Sequence, residues 1–496
     1  MKVGIVKRAV VLCLVVDLML ADDSVHLKWP QTTKQLMKFA ANSTLQQAFQ
    51  DHVKKYGTGK LSLYHQFPCA PLANQAPATS VHRLSPVNVG VVAALGDSLT
   101  AGTGVKALTI IGLLREWRGL SWSGGGDLTA EEAPTLPNFI KKYNPNVKGF
   151  SVKTGSYESR NAHLNVADPG AVASDMPGQA KLLVECLKTE PGVDFENDWK
   201  VITLFIGGND LCDYCEDQEK FSATNYLRDV QAALDTLHDS VPRAFVNLVQ
   251  VLTVPMVEEL NKGLICYALH LYACKCGAFP KDDAARQEMI AAGVAYRKAV
   301  EDLVLSGRYD DREDFTVVLQ PFLTETRPPR DPNNEPDLSY FAPDCFHFSE
   351  KGQAAAAEGL WNNMIEPEGQ KRTSWTPGEQ IICPTDATPF FFTRQNTDEL
   401  NSKMGFQGSK GAFFAQDKED SQALNGALSA QNKQDSPPKG QGANISPSVV
   451  VLGCLIAIAS VALALGISLK VRKSRQQRNP ENVGILLHSM GSAVYT

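Results

Sequence analysis

Val89-Gly-Val-Val-Ala-Ala-Leu-Gly-Asp-Ser-Leu99 runs uncharged and mostly apolar up to a glycine, then presents an acid and a hydroxyl. An apolar run of this length, stopped by a turn residue, suits a strand buried on both faces, as strands of parallel sheets are. Further candidate strands lie at 199–205, 243–252 and 314–322. Apolar residues recur at helical spacing at 175–187, 225–241 and 282–305, and 350–361 reads as a final helix. Short strands alternating with longer helices imply a three-layer α/β domain with a mostly parallel central sheet.

Open sheets of this kind gather their functional groups beyond the carboxyl ends of the strands, and Ser98 falls there. A hydroxyl is a poor nucleophile until an imidazole takes its proton, and the imidazole needs an acceptor to fix its tautomer and stabilise its charge. Asp344-Cys-Phe-His347 supplies both. An aspartate three residues before a histidine can reach one ring nitrogen while the other faces the serine. Asp210 is the rival acid, its plainer role being to hold a loop by accepting backbone N–H bonds. His163 is a rival base, although an isolated polar histidine in a loop is more often a surface residue.

An ester hydrolase also needs donors for the developing oxyanion. Ile206-Gly-Gly-Asn-Asp210 follows the candidate strand at 201–205, so the Asn209 amide would project from its carboxyl end. Asn165-Val-Ala-Asp-Pro-Gly170 precedes a helix, and a glycine there lets a bare N–H approach a reacting oxygen. Gly170, Asn209 and the Ser98 N–H are therefore the candidate oxyanion hole. This chemistry requires no metal or cofactor.

The two ends of the chain do not read as core. Lys2, Lys7 and Arg8 precede an apolar stretch broken by Asp17, so residues 1–21 are expected to be a secretory signal. Residues 449–469 carry no charge and would span about 30 Å as a helix, the thickness of a bilayer's hydrocarbon core. Lys470, Arg472, Lys473, Arg475 and Arg478 follow, and such a cluster stays cytoplasmic. The expected organisation is signal 1–21, a pre-domain segment 22–59 with helical pattern and no assigned role, a hydrolase domain 60–393, a disordered stalk 394–448, a transmembrane helix 449–469 and a cytoplasmic tail 470–496. The catalytic domain would then face outward from the plasma membrane on a single-pass type I protein.

The 11 cysteines agree with an oxidising compartment. Cys13 lies in the signal and Cys454 in the span, leaving nine, so at least one stays unpaired within the chain. Cys212-x-x-Cys215 and Cys274-x-Cys276 could serve redox or zinc chemistry, but neither has the companion ligands of a closed zinc site, and disulfides are the better reading. Asn42-Ser-Thr44 is a glycosylation acceptor in such a chain. The net charge of −6 is modest and the expected ectodomain shows no basic stripe, so nucleic acid is not expected as a partner.

Gly96-Asp-Ser-Leu99, the glycine at 170, Gly207-Gly-Asn-Asp210 and Asp344-x-x-His347 together resemble the GDSL or SGNH hydrolase superfamily, in its usual order. More narrowly, Leu95-Gly-Asp-Ser-Leu-Thr-Ala-Gly102, Arg118-Gly-Leu-Ser-Trp122, Thr203-Leu-Phe-Ile-Gly-Gly-Asn-Asp-Leu-Cys-Asp213 and Phe341-Ala-Pro-Asp-Cys-Phe-His-Phe348 resemble the membrane-associated phospholipase B family. The resemblance implies hydrolysis of both acyl esters of glycerophospholipids, of lysophospholipids, and broader lipase activity. Mammalian members carry tandem hydrolase units, and this chain has one. Two other readings stay open: a carbohydrate O-acetylesterase, which would need a polar pocket, and a cell-surface binding protein on a dead hydrolase fold. Intact Ser98, Asn209, Asp344 and His347 argue against the second.

Overall fold

Four strands, β1 (Val89–Gly96), β2 (Trp199–Phe205), β3 (Ala244–Val249) and β4 (Phe315–Gln320), form a parallel sheet in the order β1-β2-β3-β4. Ala93 pairs with Ile202, Ile202 with Val246 and Val246 with Val317. Every residue of β2 and β3 is buried, which is why their sequences lack the alternation of a strand wetted on one face. This computed structural model describes residues 30–57, 67–72 and 76–403. The expected signal, transmembrane helix and tail lie outside the described residues, as does the stalk beyond residue 403. Among the described residues no helix is long and apolar enough to cross a membrane.

The strands expected at 243–252 and 314–322 are shorter than their apolar runs, and the helices fall close to their expected places. Met176–Thr189 packs on Ala223–Ser240, which packs on Asp283–Leu305. Glu350–Ile365 packs instead with Leu136–Lys141 and β4. All its residues from Gly352 to Ile365 are buried, so its amphipathic signal is weak. The outer edge of β1 carries no full strand. Val92 N–H donates to Lys148 O (2.9 Å) and Ala94 N–H to Leu164 O (3.0 Å), so an irregular segment covers that edge.

Two boundaries move. The segment at 22–59, read as helical but without a role, contains two helices, Pro30–Ala41 and Ser43–Tyr56, joined as a hairpin. Its Leu36, Ala40, Leu45 and Phe49 are buried in a second core cluster with Ile110, Ile111, Leu113, Leu114 and Leu269. Exposed Asn42 caps the second helix, its side chain accepting from Thr44 N–H and Leu45 N–H. At the other end, the first ten residues expected as disordered stalk are a helix, Arg394–Lys403. Buried Asn396 ties it down by donating to His82 O (3.0 Å) and Phe391 O (2.9 Å). Polar composition suggested a solvated segment here because buried asparagine holds backbone, a role that apolar content does not reveal.

Cys69 pairs with Cys383, Cys212 with Cys274, Cys215 with Cys276 and Cys266 with Cys345, while Cys186 is free. The Cys212 and Cys215 sulfurs bond elsewhere in the chain rather than to each other, so neither the redox nor the zinc reading applies.

Candidate active site

The turn after β1 is set by glycine. Gly96 has φ +151°, and a Cβ there would lie 2.3 Å from the Phe205 carbonyl oxygen, inside contact distance with backbone that cannot yield. Gln179 clamps the same residue, accepting from Gly96 N–H (2.8 Å) and donating to Gly96 O (2.9 Å). Asp97 then accepts from Leu99 N–H (2.9 Å) and caps the short helix Ser98–Ala101. Burial above all raises the Asp97 carboxyl, to about 6. Ser98 is thus fixed just past the carboxyl end of β1.

The second cluster folds back on itself. Ala342 N–H donates to His347 O (2.7 Å), closing a tight loop in which Cys345 takes a positive φ of 60°. One oxygen of Asp344 accepts from Phe346 N–H and His347 N–H (3.0 Å each), and the other accepts from His347 Nδ1 at 2.6 Å. On the far side of the ring, Nε2 accepts from Ser98 Oγ at 2.8 Å. Ser98, Asp344 and His347 are all buried. Burial would raise the Asp344 carboxyl, yet the charge and hydrogen bond of His347 and the two backbone donors bring it below its ordinary range.

The rivals lie elsewhere. Asp210 accepts from Ala173 N–H with both oxygens (3.1 Å each) and makes no described bond to His347. Burial, with the charges of Asp97 and Asp175 adding, pushes its carboxyl up to about 7. Exposed His163 pairs with Glu190 at 2.6 Å.

Gly170 (φ +81°) and Asn209 line the same cavity as Ser98 and His347. Asn209 Nδ2 donates to Ala171 O (2.9 Å), which uses one of its two hydrogens and leaves the other for a ligand. The loop carrying Gly170 is tied to β1, with Val166 N–H on Ala94 O (2.9 Å) and Asp168 N–H on Gly96 O (3.1 Å).

Arg118 escaped sequence reasoning as a functional residue, although its block carried part of the resemblance. It is fully buried and donates to Gly155 O (2.7 Å), Asn165 O (2.9 Å), Ala167 O (2.6 Å) and the Glu116 carboxylate (2.5 Å). Asn165 in turn donates to Thr100 O (2.9 Å), so one guanidinium links the Gly170 loop to the helix of Ser98. The hairpin was missed too: Gln35, Leu36 and Phe39 line the catalytic cavity together with Leu113, Leu114, Leu269 and Tyr272. The cavity has a volume of about 210 Å³.

Residues 92–360 match the family of the GDSL-like lipases and acylhydrolases, more than half of the 496-residue chain. Relatives called "Phospholipase B1, membrane-associated" are 46% identical over 327 residues in Homo sapiens, 42% over 334 in Mus musculus and 42% over 337 in Rattus norvegicus. These alignments cover 64%, 66% and 66% of this chain but only 22%, 22% and 23% of those proteins, so the chain spans about a fifth of their length. A crystallised GDSL-like lipase of Parabacteroides merdae aligns at 15% identity and a TM-score of 0.31 over 57% of this chain and 96% of its own, and adds nothing to the assignment.

Proposed function

The chain belongs to the GDSL-like lipase and acylhydrolase family, and from that premise we propose that it hydrolyses the acyl esters of glycerophospholipids and lysophospholipids through an acyl-serine intermediate. One observation carries this reading: the hydrogen-bond relay from Ser98 through His347 to Asp344 opens into a cavity to which Leu36, Phe39, Leu113, Leu114 and Leu269 contribute apolar surface. Ser98 Oγ attacks the ester carbonyl carbon while its proton passes to His347 Nε2, and Asp344 stabilises the imidazolium. Gly170 N–H, Ser98 N–H and the second amide hydrogen of Asn209 take the oxyanion. Collapse breaks the bond to the alcohol, which leaves with the proton from His347. Water then attacks the acyl-serine by the same relay, releasing the fatty acid and restoring Ser98.

Leu36, Phe39, Leu113, Leu114 and Leu269 give a fatty acyl chain apolar surface to lie against, which a carbohydrate O-acetylesterase would not need, although Gln35 and Asp213 line the same cavity. Similarity to proteins named as phospholipases supports the same class. Assay of the purified chain on phosphatidylcholine, lysophosphatidylcholine and an acetylated sugar, with Ser98→Ala as the control, tests it. Release of fatty acid from both lipids is the expected result; turnover of the acetylated sugar alone would overturn the reading, and no turnover with intact binding would favour a binding protein.

We also propose a single-pass type I arrangement at the plasma membrane, with signal 1–21, a span at 449–469 and glycan at Asn42. The uncharged run, the basic residues after it and the relatives' description as membrane-associated support this. Retention of the chain in the membrane pellet after carbonate, with only the 470–496 tail open to protease in sealed microsomes, is the expected outcome.

A further inference from the structure

We propose that the hairpin of Pro30–Ala41 and Ser43–Tyr56 is the acyl-chain wall of the active site, with Phe39 as its specificity-determining residue; this rests on the acyl-ester reading above. The hairpin lies wholly outside residues 92–360, the part shared with the family, yet it contributes Leu36 and Phe39 to the cavity that holds Ser98 and His347. Leu36, Ala40, Leu45 and Phe49 of the hairpin share one buried cluster with Leu113 and Leu114, which line the same cavity.

The wall is anchored rather than draped. Phe49 is fully buried, Leu36 and Leu45 pack into the same cluster as Leu113, Leu114 and Leu269, and Gln50 Nε2 donates to Leu108 O at 3.0 Å. His52, on the second helix, is buried with Nε2 4.0 Å from Cys345 Sγ, beside the loop that holds Asp344 and His347. The hairpin therefore registers against the catalytic loop as well as the cavity.

Phe39 differs from its buried neighbours. It is half-buried and meets Tyr272 edge-on at 5.4 Å between ring centroids, while Tyr272 itself is 53% exposed. An aromatic pair that lines a catalytic cavity without being sealed into the core offers its remaining surface to whatever enters. At about 210 Å³ the cavity is smaller than the roughly 300–1,000 Å³ of pockets that enclose a drug-sized ligand. It suits one ester and the proximal part of one acyl chain, with the rest of the lipid outside. The ring of Phe39 then touches the chain and not the reacting ester.

The test uses the full chain in detergent and p-nitrophenyl esters from acetate to dodecanoate. Phe39→Ala should lower kcat/KM on octanoate and dodecanoate by about tenfold, mainly through KM, and leave acetate within about twofold. Phe39→Trp, which narrows the same wall, should move the optimum to shorter chains. A parallel profile for all three proteins would overturn the proposal. A second measurement is independent of turnover: binding of the fluorescent fatty acid cis-parinaric acid to the Ser98→Ala chain should weaken about tenfold with Phe39→Ala added, and unchanged binding would also overturn it. If phosphatidylcholine is not hydrolysed while the chain-length shift appears, the lipid reading fails and the acyl wall stands.

Discussion

Asp344 holds His347 at two points: one carboxylate oxygen accepts from the ring Nδ1 at 2.6 Å, and the other accepts from the backbone N–H of the same histidine at 3.0 Å. The acid therefore sets both the tautomer of the base and the bend of the loop that presents it.

Replacing Asp344 with asparagine should lower kcat by about 10⁴-fold, because an amide can donate to Nδ1 and favour the wrong tautomer. Asp210→Asn keeps an oxygen for Ala173 N–H and should cost far less than Asp344→Asn, whereas Asp210→Ala frees the loop after Gly170 and should cost up to about 10²-fold in kcat. Steady-state kinetics on lysophosphatidylcholine decide between them: a reversed order of the two asparagine variants would make Asp210 the acid.

The raised carboxyl of Asp210 has a consequence for stability. Its folded value, about 7, lies above the ordinary aspartate range, so the native state holds a proton that the unfolded chain has already lost between about pH 4 and 7. Its contribution is complete below that window and lost as pH rises through it. Asp210→Asn, neutral throughout, should therefore show a Tm relative to wild type that is higher at pH 8 than at pH 5. An equal difference at both pH values would mean that Asp210 is not held protonated.

Asn209→Ala removes the proposed oxyanion donor and also the bond to Ala171 O. It should reduce kcat by about 10²- to 10³-fold with little change in KM. Ser98 should still label with an organophosphonate, more slowly. A large rise in KM at unchanged kcat would instead make Asn209 a substrate-binding residue.

Arg118→Met leaves the Glu116 carboxylate buried without its guanidinium and three carbonyls without a donor. Breaking a buried pair in this way typically costs about 3–5 kcal/mol, to be read from urea unfolding. Arg118→Lys should keep the charge but lose the fork that joins Gly155, Asn165 and Ala167, so kcat should fall more than stability does. Equal kcat for Arg118→Lys and wild type would show that the network is structural only.

What was legible in the chain were the groups placed by strand ends. Ser98 and Asn209 follow apolar runs directly, and Asp344 and His347 are close enough in sequence to meet by local bending alone. Gly170 was readable because a glycine ahead of a helix lets a bare N–H approach a reacting oxygen. The hairpin was not, since Leu36 and Phe39 come to line the cavity of Ser98 through packing against the cluster of Leu113 and Leu269, contacts that periodicity cannot foresee. Arg118 was hidden for a related reason: a buried charge is identified by its partners, and Gly155, Asn165 and Ala167 are brought to it only by the fold. Disulfide pairing is equally non-local, and polar Asn396 concealed a docked helix behind a stalk-like composition.

The bond between Cys69 and Cys383 joins residues 314 apart, and Ser98 meets His347 across 249. At a synthesis rate of roughly 5–20 residues per second, Cys69 waits on the order of 15–60 s for its partner, while Cys212, Cys215, Cys274 and Cys276 emerge closer together. Ser98 is made early and His347 late, so a growing chain carries no assembled relay until His347 has been added. On the reading proposed above, an enzyme whose substrates form the membrane it is made beside stays inert until the polypeptide through His347 has been made and has folded back onto its first strand.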